Sequence, residues 1–213
     1  MNWLARNAWA RRGLSSISAL LAVVGVGMLA YPFATNLYQS RLQDRLESQL
    51  AEGWDAGGVK EGDALTHLRI RQQGATDDMV SVVVVEGTSA SALRAGAGHY
   101  PATPLPGEDG NVAIAGHRTT YGRPFHDNDK LRPGDRVILE TPVGRYFYRI
   151  LPPPPGTAAV AQGAAGYVVD STNWTPIANT PGSKTLTLTT CHPKGSAAQR
   201  LIVKAELVKA EAR

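Results

Sequence analysis

The chain has 213 residues, 43% of them hydrophobic, which allows one ordinary domain with a real core plus accessory segments. Its formal net charge is +4, from 22 Lys and Arg against 18 Asp and Glu, and this charge is too small and too dispersed to indicate nucleic acid as the main partner. The single cysteine, Cys191, excludes an intramolecular disulfide and every zinc site built from clustered cysteines.

An uncharged run over residues 17–34 would span roughly 27 Å as a helix, close to the hydrocarbon thickness of a bilayer. The charges after this run are mixed in sign, whereas three arginines precede it: Arg6, Arg11 and Arg12. The positive-inside rule therefore predicts a cytoplasmic tail over 1–12, a single-pass anchor in the cell membrane over 13–35, and an extracytoplasmic remainder.

Two other interpretations of this run are open. A cleaved signal peptide is disfavoured because the run is longer than a typical signal core and no clear A-x-A cleavage site follows it. A buried core helix is disfavoured because the run is apolar on nearly all of its faces.

The segment after the anchor changes character twice. Leu42, Leu46 and Leu50 recur every fourth residue among charged neighbours, a helical spacing that predicts a short stalk continuing the membrane helix. The Gly-rich stretch EGWDAGGVKEG then breaks the pattern. Residues 36–62 are therefore predicted to be stalk and linker, and residues 63–213 the globular domain.

From about residue 63 the chain consists of short β-rich runs bounded by Gly and Pro. There are eight of them: LTHLRI, VSVVVV, NVAIA, RVILE, RYFYRI, YVVD, TLTLTT and RLIVKAEL. The sequence ETPVGRYF places a Pro and Gly turn between two runs, which indicates a hairpin. The pattern predicts an all-β domain, either an antiparallel barrel or a sandwich.

Cys191 follows the strand-like run TLTLTT directly and precedes His192 and Pro193. Proline cannot donate to a strand ladder, so the strand is expected to end here, with the thiol at its end. A lone cysteine is often only a small buried hydrophobe. As a nucleophile, it would need a nearby acid and base and a donor that holds the developing oxyanion.

Five histidines are candidates for the acid and base. His117 follows the apolar run NVAIAG, also at a strand end. His192 is a poor partner for Cys191, because consecutive residues of an extended chain point to opposite faces. The remaining three are expected within a strand or in loops: His67 in a strand, His99 and His126 in loops.

Arg200 opens the last predicted strand, shortly after Cys191. If the strands that hold these two residues are antiparallel neighbours, their facing ends bring the guanidinium and the thiol together. A permanent cation in that place favours a thiolate and can donate to an oxyanion. A solvated arginine at a strand edge is the alternative.

These residues resemble the sortase family. TLTTC at 187–191 is similar to the TLxTC signature of sortases, and His117 and Arg200 complete that family's triad. The CHPK tail and the HRTTYG turn resemble the class E housekeeping sortases of actinobacteria. The resemblance implies an eight-stranded sortase-type β-barrel with short helices, in which Cys191 is the nucleophile, His117 the general acid and base, and Arg200 the donor to the oxyanion or the substrate carbonyl.

The resemblance also implies a reaction and its partners. Cys191 would attack the Thr carbonyl of an LAxTG-like or LPxTG-like sorting signal in a secreted protein, and a peptidoglycan precursor amine would resolve the thioester. Tyr121 is the candidate for reading the second signal position, and Thr189 and Thr190 are further substrate-binding candidates. No cofactor and no metal are expected, since the Asp-rich turn HDNDKLRPGD lacks the spacing of a calcium loop.

Two alternatives to a housekeeping sortase are open. A pilus-polymerising sortase would carry the same triad but normally has a lid segment with an Asp-aromatic pair, and none is evident before residue 98. A non-enzymatic β-domain tethered to the membrane is the second alternative. Blocking Cys191 by alkylation would leave the function of such a binding module intact.

Overall fold

A long N-terminal helix precedes a β-barrel in the computed structural model, which describes residues 8–54 and 58–213. Helix α1 spans Ala8–Glu52 and is followed by Gly53 at a φ of +96°, a left-handed conformation that suits the residue after a helix. Arg6 lies outside the described residues. In the described part of the chain, α1 is the one helix long and apolar enough to cross a membrane, and its most apolar window is not buried against the protein.

Nine strands form one sheet in the described part of the chain, together with a short helix α2, Ala90–Ala95. In chain order the strands are β1 Ala64–Arg71, β2 Val80–Glu86, β3 Ala97–His99, β4 Gly110–Gly116, β5 Arg136–Thr141, β6 Gly144–Ile150, β7 Tyr167–Asp170, β8 Lys184–His192 and β9 Gln199–Ala212. Two 3-10 helices lie at Asn128–Lys130 and Thr175–Ile177.

Eight of the nine strands close into a barrel. The strand order is β6-β5-β1-β2-β3-β4-β8-β9, and a further pairing of β6 with β9 closes the ring. Strand β9 is long enough to pair with β8 and β7 through its first half and with β6 through its second. The predicted eight-stranded barrel after an apolar helix is therefore confirmed, with β7 outside the ring.

Two details of the predicted barrel were wrong. The run YVVD is β7, which pairs with β9 outside the ring, whereas the ring includes β3, where His99 was expected in a loop. The barrel is also not wholly antiparallel, because β2 with β3 and β4 with β8 are parallel pairs. A three-residue strand such as β3 carries almost no sequence signal of its own, and its neighbours on both sides create it.

Side-chain alternation on β4 and β8 separates the core from the outer face. Leu186 and Leu188 of β8 lie in the main core, as do Val112 and Ile114 of β4. Because successive residues of a strand point to opposite faces, the odd-numbered residues of these two strands face outward, and Cys191 is among them. The cysteine therefore lies on the outer face of the barrel, at the end of its strand.

The leucine stripe of α1 packs against the barrel. Leu46 is buried in a second apolar cluster with residues of β1, β2 and α2, and Leu42 and Leu50 pack against that cluster. Gln43 adds polar contacts with Val83 of β2, whose N–H donates to Gln43 Oε1 over 2.6 Å and whose carbonyl accepts from Nε2 over 3.2 Å. The part of the helix predicted as a stalk is therefore docked on the domain.

Candidate active site

The ends of β4 and β8 lie side by side at one edge of the barrel. These strands are parallel, and Ala115 pairs with Thr189. His117 comes directly after Gly116, the last residue of β4, and Cys191 is the next-to-last residue of β8. Because parallel neighbours end at the same edge of a sheet, both residues come to this edge of the barrel.

Arg200 faces Cys191 from the other side. The two residues are direct partners in the antiparallel pairing of β8 with β9. The antiparallel arrangement expected from the sequence is thus confirmed. The guanidinium donates to the carbonyls of Ala197 and Gln199, at 2.9 and 3.0 Å, which holds it at the rim beside the partly exposed cysteine. Cys191 therefore has a permanent cation as its cross-strand partner, at the edge where His117 follows β4.

His117 is partly buried and packs against the ring of Tyr121. Their ring centroids are 5.3 Å apart and the planes are tilted by 36°. Burial lowers the pKa of His117, and the positive charge of Arg94 on α2 lowers it further. A lowered pKa favours the neutral imidazole, which is the form that accepts a proton.

Helix α1 contacts the turn after His117. Tyr121 has a φ of +50°, which is unusual for a residue with a side chain, and Gly122 follows at +71°. The hydroxyls of Tyr121 and Tyr31 are 3.2 Å apart, and the N–H of Gly122 donates to Asn36 Oδ1 over 3.0 Å. A strained turn persists only where its surroundings hold it, and here they include α1.

The two candidate threonines before Cys191 are buried and differ in orientation. Thr189 has the same parity as Cys191, and its Oγ1 lies 3.2 Å from the hydroxyl of Tyr100. Thr190 has the parity of the core leucines, and it donates to Gly116 O over 2.7 Å. The second bond ties the end of β8 to the end of β4.

The sequence analysis missed Arg118, which lies beneath this edge. Its side chain is 3% exposed. Its Nη1 donates to Cys191 O over 3.2 Å and to His192 Nδ1 over 2.9 Å, and its Nη2 pairs with Asp129 Oδ1 at 3.2 Å. The only sequence signal was its position directly after His117 in HRTTYG, and nothing there indicates that the guanidinium is buried.

The other histidines have partners elsewhere. Burial and the charge of Arg118 lower the pKa of His192, against the opposite effect of Asp129. His192 thus interacts with Arg118 and Asp129. This agrees with the expectation that it points away from the thiol. The remaining three bond as follows: His67 to Ser81 Oγ, His99 to the Glu86 carboxylate, and His126 to Arg118 O.

The Asp-rich turn after the site is paired with cations of the protein. Asp127 lies 3.0 Å from Lys130 Nζ and 3.6 Å from Lys194 Nζ, and Asp129 pairs with Arg118. Within residues 8–54 and 58–213, no group of three or more His, Cys, Asp or Glu side chains is arranged to hold a metal ion. The carboxylates of Asp127 and Asp129 are therefore engaged in ion pairs, whereas that of Asp135 accepts from the backbone N–H groups of Gln73 and Arg132.

Comparison with known proteins identifies the family of this chain. A family model of the sortase domain matches residues 74–208. Sortase SrtE2 of Streptomyces coelicolor is 31% identical over 79% of the chain, and sortase SrtE1 of the same organism is 28% identical over 91%. The chain spans 65% and 57% of the lengths of these two relatives.

Solved structures agree with this match. The structure of sortase E from Streptomyces avermitilis is 34% identical, covers 72% of this chain and 93% of its own, and superimposes with a TM-score of 0.58. Sortase F of Corynebacterium diphtheriae is 29% identical over 75% of this chain and 91% of its own, with a TM-score of 0.63. The chain belongs to the sortase family, and its resemblance to the class E members is confirmed.

Proposed function

We propose that this protein is a membrane-anchored cysteine transpeptidase. It cleaves an LAxTG-like or LPxTG-like sorting signal of a secreted protein between Thr and Gly, and it joins that protein to an amine of a peptidoglycan precursor. The observation that carries the proposal is the strand edge at which Cys191 pairs with Arg200 and β4 ends directly before His117. Family membership supports the reaction class.

Acylation begins with the sulfur of Cys191 attacking the Thr carbonyl carbon, while His117 takes the thiol proton. Arg200 stabilises the negative charge that develops on the carbonyl oxygen, since its guanidinium is a permanent cation. Collapse of the tetrahedral intermediate breaks the bond to the Gly nitrogen. His117 returns its proton to that leaving amine, and the acyl group stays on sulfur as a thioester.

Resolution reverses the proton movement. The acceptor amine attacks the thioester carbonyl, and His117 removes a proton from the attacking nitrogen. A new amide bond forms, the carbon–sulfur bond breaks, and Cys191 recovers its proton. The lowered pKa of His117 suits this cycle, because the neutral imidazole is ready to accept the first proton.

Tyr121 is the proposed selectivity residue. An LAxTG signal offers a backbone N–H at its second position, whereas proline in LPxTG has none. The Tyr121 hydroxyl can accept that N–H, and one such bond contributes about two- to tenfold in rate. A preference for LAxTG follows. Thr189 and Thr190 stay predictions as substrate-binding residues, and their observed contacts support a role in holding the end of β8.

The apolar, unburied window of α1 supports a membrane span, and the arginines before the apolar run give the proposed orientation. Residues 1–12 are cytoplasmic, 13–35 form the single-pass anchor in the cell membrane, 36–62 are stalk and linker, and 63–213 are the extracytoplasmic catalytic domain. Secreted proteins carrying C-terminal sorting signals, the precursor amine and the membrane are then the partners, without a cofactor.

The test uses the full chain in detergent with LAxTG and LPxTG peptides and a panel of amines, followed by mass spectrometry. We expect a thioester on the wild-type protein, faster turnover of LAxTG, and neither thioester nor product from Cys191→Ala. The variant keeps the fold, because a small residue replaces another at a strand end. Turnover near wild type in Cys191→Ala would refute the proposal, as would normal function after thiol alkylation.

A further inference from the structure

Helix α1 holds both segments that flank His117. One segment is the turn after it, residues 120–123, and the other is the end of α2, which carries Arg94. The helix residues that contact them share one face of α1, since Asn36, Gln39 and Gln43 follow at intervals of three and four. These polar residues come directly after the apolar run.

The contact with the turn is made by Asn36 and Gln39. Asn36 Oδ1 accepts from the N–H of Gly122 over 3.0 Å, and Gln39 is 8% exposed and lies against Gly122. A Cβ built on Gly122 would come within 2.5 Å of Gln39 Oε1, so the helix and the turn are in close contact. The position of Tyr121, and with it the ring that packs on His117, therefore depends on α1.

The contact with α2 is made by Gln39 and Gln43. Both donate to the carbonyl of Ala95, at 3.3 and 2.6 Å. Ala95 ends α2 and follows Arg94, the residue whose charge acts on His117. Gln43 also bonds both backbone groups of Val83, so it cannot move without breaking contacts with β2.

We propose that Asn36 of α1 is a positioning residue of the active site. It acts on His117 through the turn at residues 120–123. Helix α1 then positions the active site in addition to anchoring the protein. This inference rests on the proposed role of His117. Asn36 is suited to this role because it is half-buried on the face of α1 that packs on the domain, where its side chain reaches Gly122.

The test measures kcat and KM of the full chain in detergent for a soluble LAxTG peptide. Asn36→Leu removes the acceptor for the Gly122 N–H, and we expect kcat to fall about two- to tenfold with a smaller change in KM. Asn36→Asp keeps an oxygen acceptor in the same place, and we expect it to restore most of kcat. Tyr31→Phe removes the hydroxyl contact to Tyr121 and should also lower kcat, as Asn36→Leu does.

Ser40→Ala is the matched control, because Ser40 is exposed on the same helix and its hydroxyl donates to Leu37 O within α1. Wild-type kcat in Asn36→Leu would overturn the inference. A fall in kcat that Asn36→Asp does not relieve, accompanied by an equal loss of thermal stability, would also overturn it, since the role would then be structural only. His117→Ala is measured in parallel. If that variant is active, the proposed function fails, and the inference fails with it.

Discussion

At the scale of single residues, the site combines a histidine whose pKa is lowered with two permanently charged arginines. His117 lies near Arg94 on α2, and Arg200 is the strand partner of the neighbouring Cys191. The order of the causes matters here, because burial lowers the pKa of His117 more than Arg94 does. An effect of burial is insensitive to salt, whereas the effect of the exposed Arg94 is screened.

We therefore expect His117 to titrate below its ordinary pKa of about 6.5. In a Cys191→Ala background, which removes the thiol, NMR should place the midpoint below that value. Arg94→Gln should raise the midpoint, because loss of a positive charge favours the protonated imidazole, and burial should still keep it below the ordinary value. Arg94→Lys keeps the charge and is the control. An unchanged midpoint in Arg94→Gln would show that Arg94 does not act on this histidine.

Substitution of Arg118 is expected to lower the free energy of unfolding. Arg118→Met removes the donor to the Cys191 carbonyl and the ion pair with Asp129, and we expect the free energy of unfolding to fall by about 1–3 kcal/mol. Urea denaturation of the variant and the wild type measures this difference in the free energy of unfolding. Arg118→Lys should restore little, because one ammonium cannot reproduce the planar fork of donors. Full recovery by lysine would mean that charge alone matters at this position.

At the scale of elements, the parallel pairing of β4 with β8 creates the site. The chain leaves β4 at Gly116 and returns beside it, in the same direction, at β8, after three further strands. Parallel neighbours end at the same edge of a sheet, so the residues that follow β4 and those that end β8 meet there. An antiparallel pair would have set His117 and Cys191 at opposite ends of the barrel.

The docking of α1 on the barrel has a measurable energetic consequence. Leu46 is 4% exposed in the second apolar cluster, and we expect Leu46→Ala to lower the free energy of unfolding by at least about 2 kcal/mol. Chemical denaturation of the full chain in detergent measures the loss. Leu37 is 58% exposed on the same helix, and Leu37→Ala is the control with little effect. Equal effects of the two substitutions would show that the stripe does not pack on the domain in solution.

At the scale of the whole molecule, one uninterrupted helix connects the apolar run to the edge that carries Cys191. Tyr31 lies within that run and its hydroxyl meets the hydroxyl of Tyr121. With residues 13–35 in the bilayer, as proposed, this contact keeps the edge that carries Cys191 near the membrane surface. A substrate that is itself held at the membrane then reaches the thiol without a long excursion into solvent.

Much of the fold was predictable because the local patterns are strong. Seven of the eight barrel strands coincide with apolar, β-branched runs, and the hairpin between β5 and β6 was predicted from its Pro and Gly turn. The three-residue β3 was not predicted, and the four-residue β7, which the run YVVD did predict, lies outside the ring. The pairing of such short strands is decided by their neighbours, which the local sequence does not specify.

The sequence by itself determined the apolar helix, the β-rich domain and the residue types of a thiol site at a strand end, because composition and periodicity are local properties. Only the tertiary structure decided that β4 and β8 run parallel, that Arg118 is buried beneath Cys191, and that Asn36 reaches the turn beside His117. Each of these depends on contacts between residues far apart in the chain. Such contacts are selected by closure of the whole barrel, and no short segment encodes them.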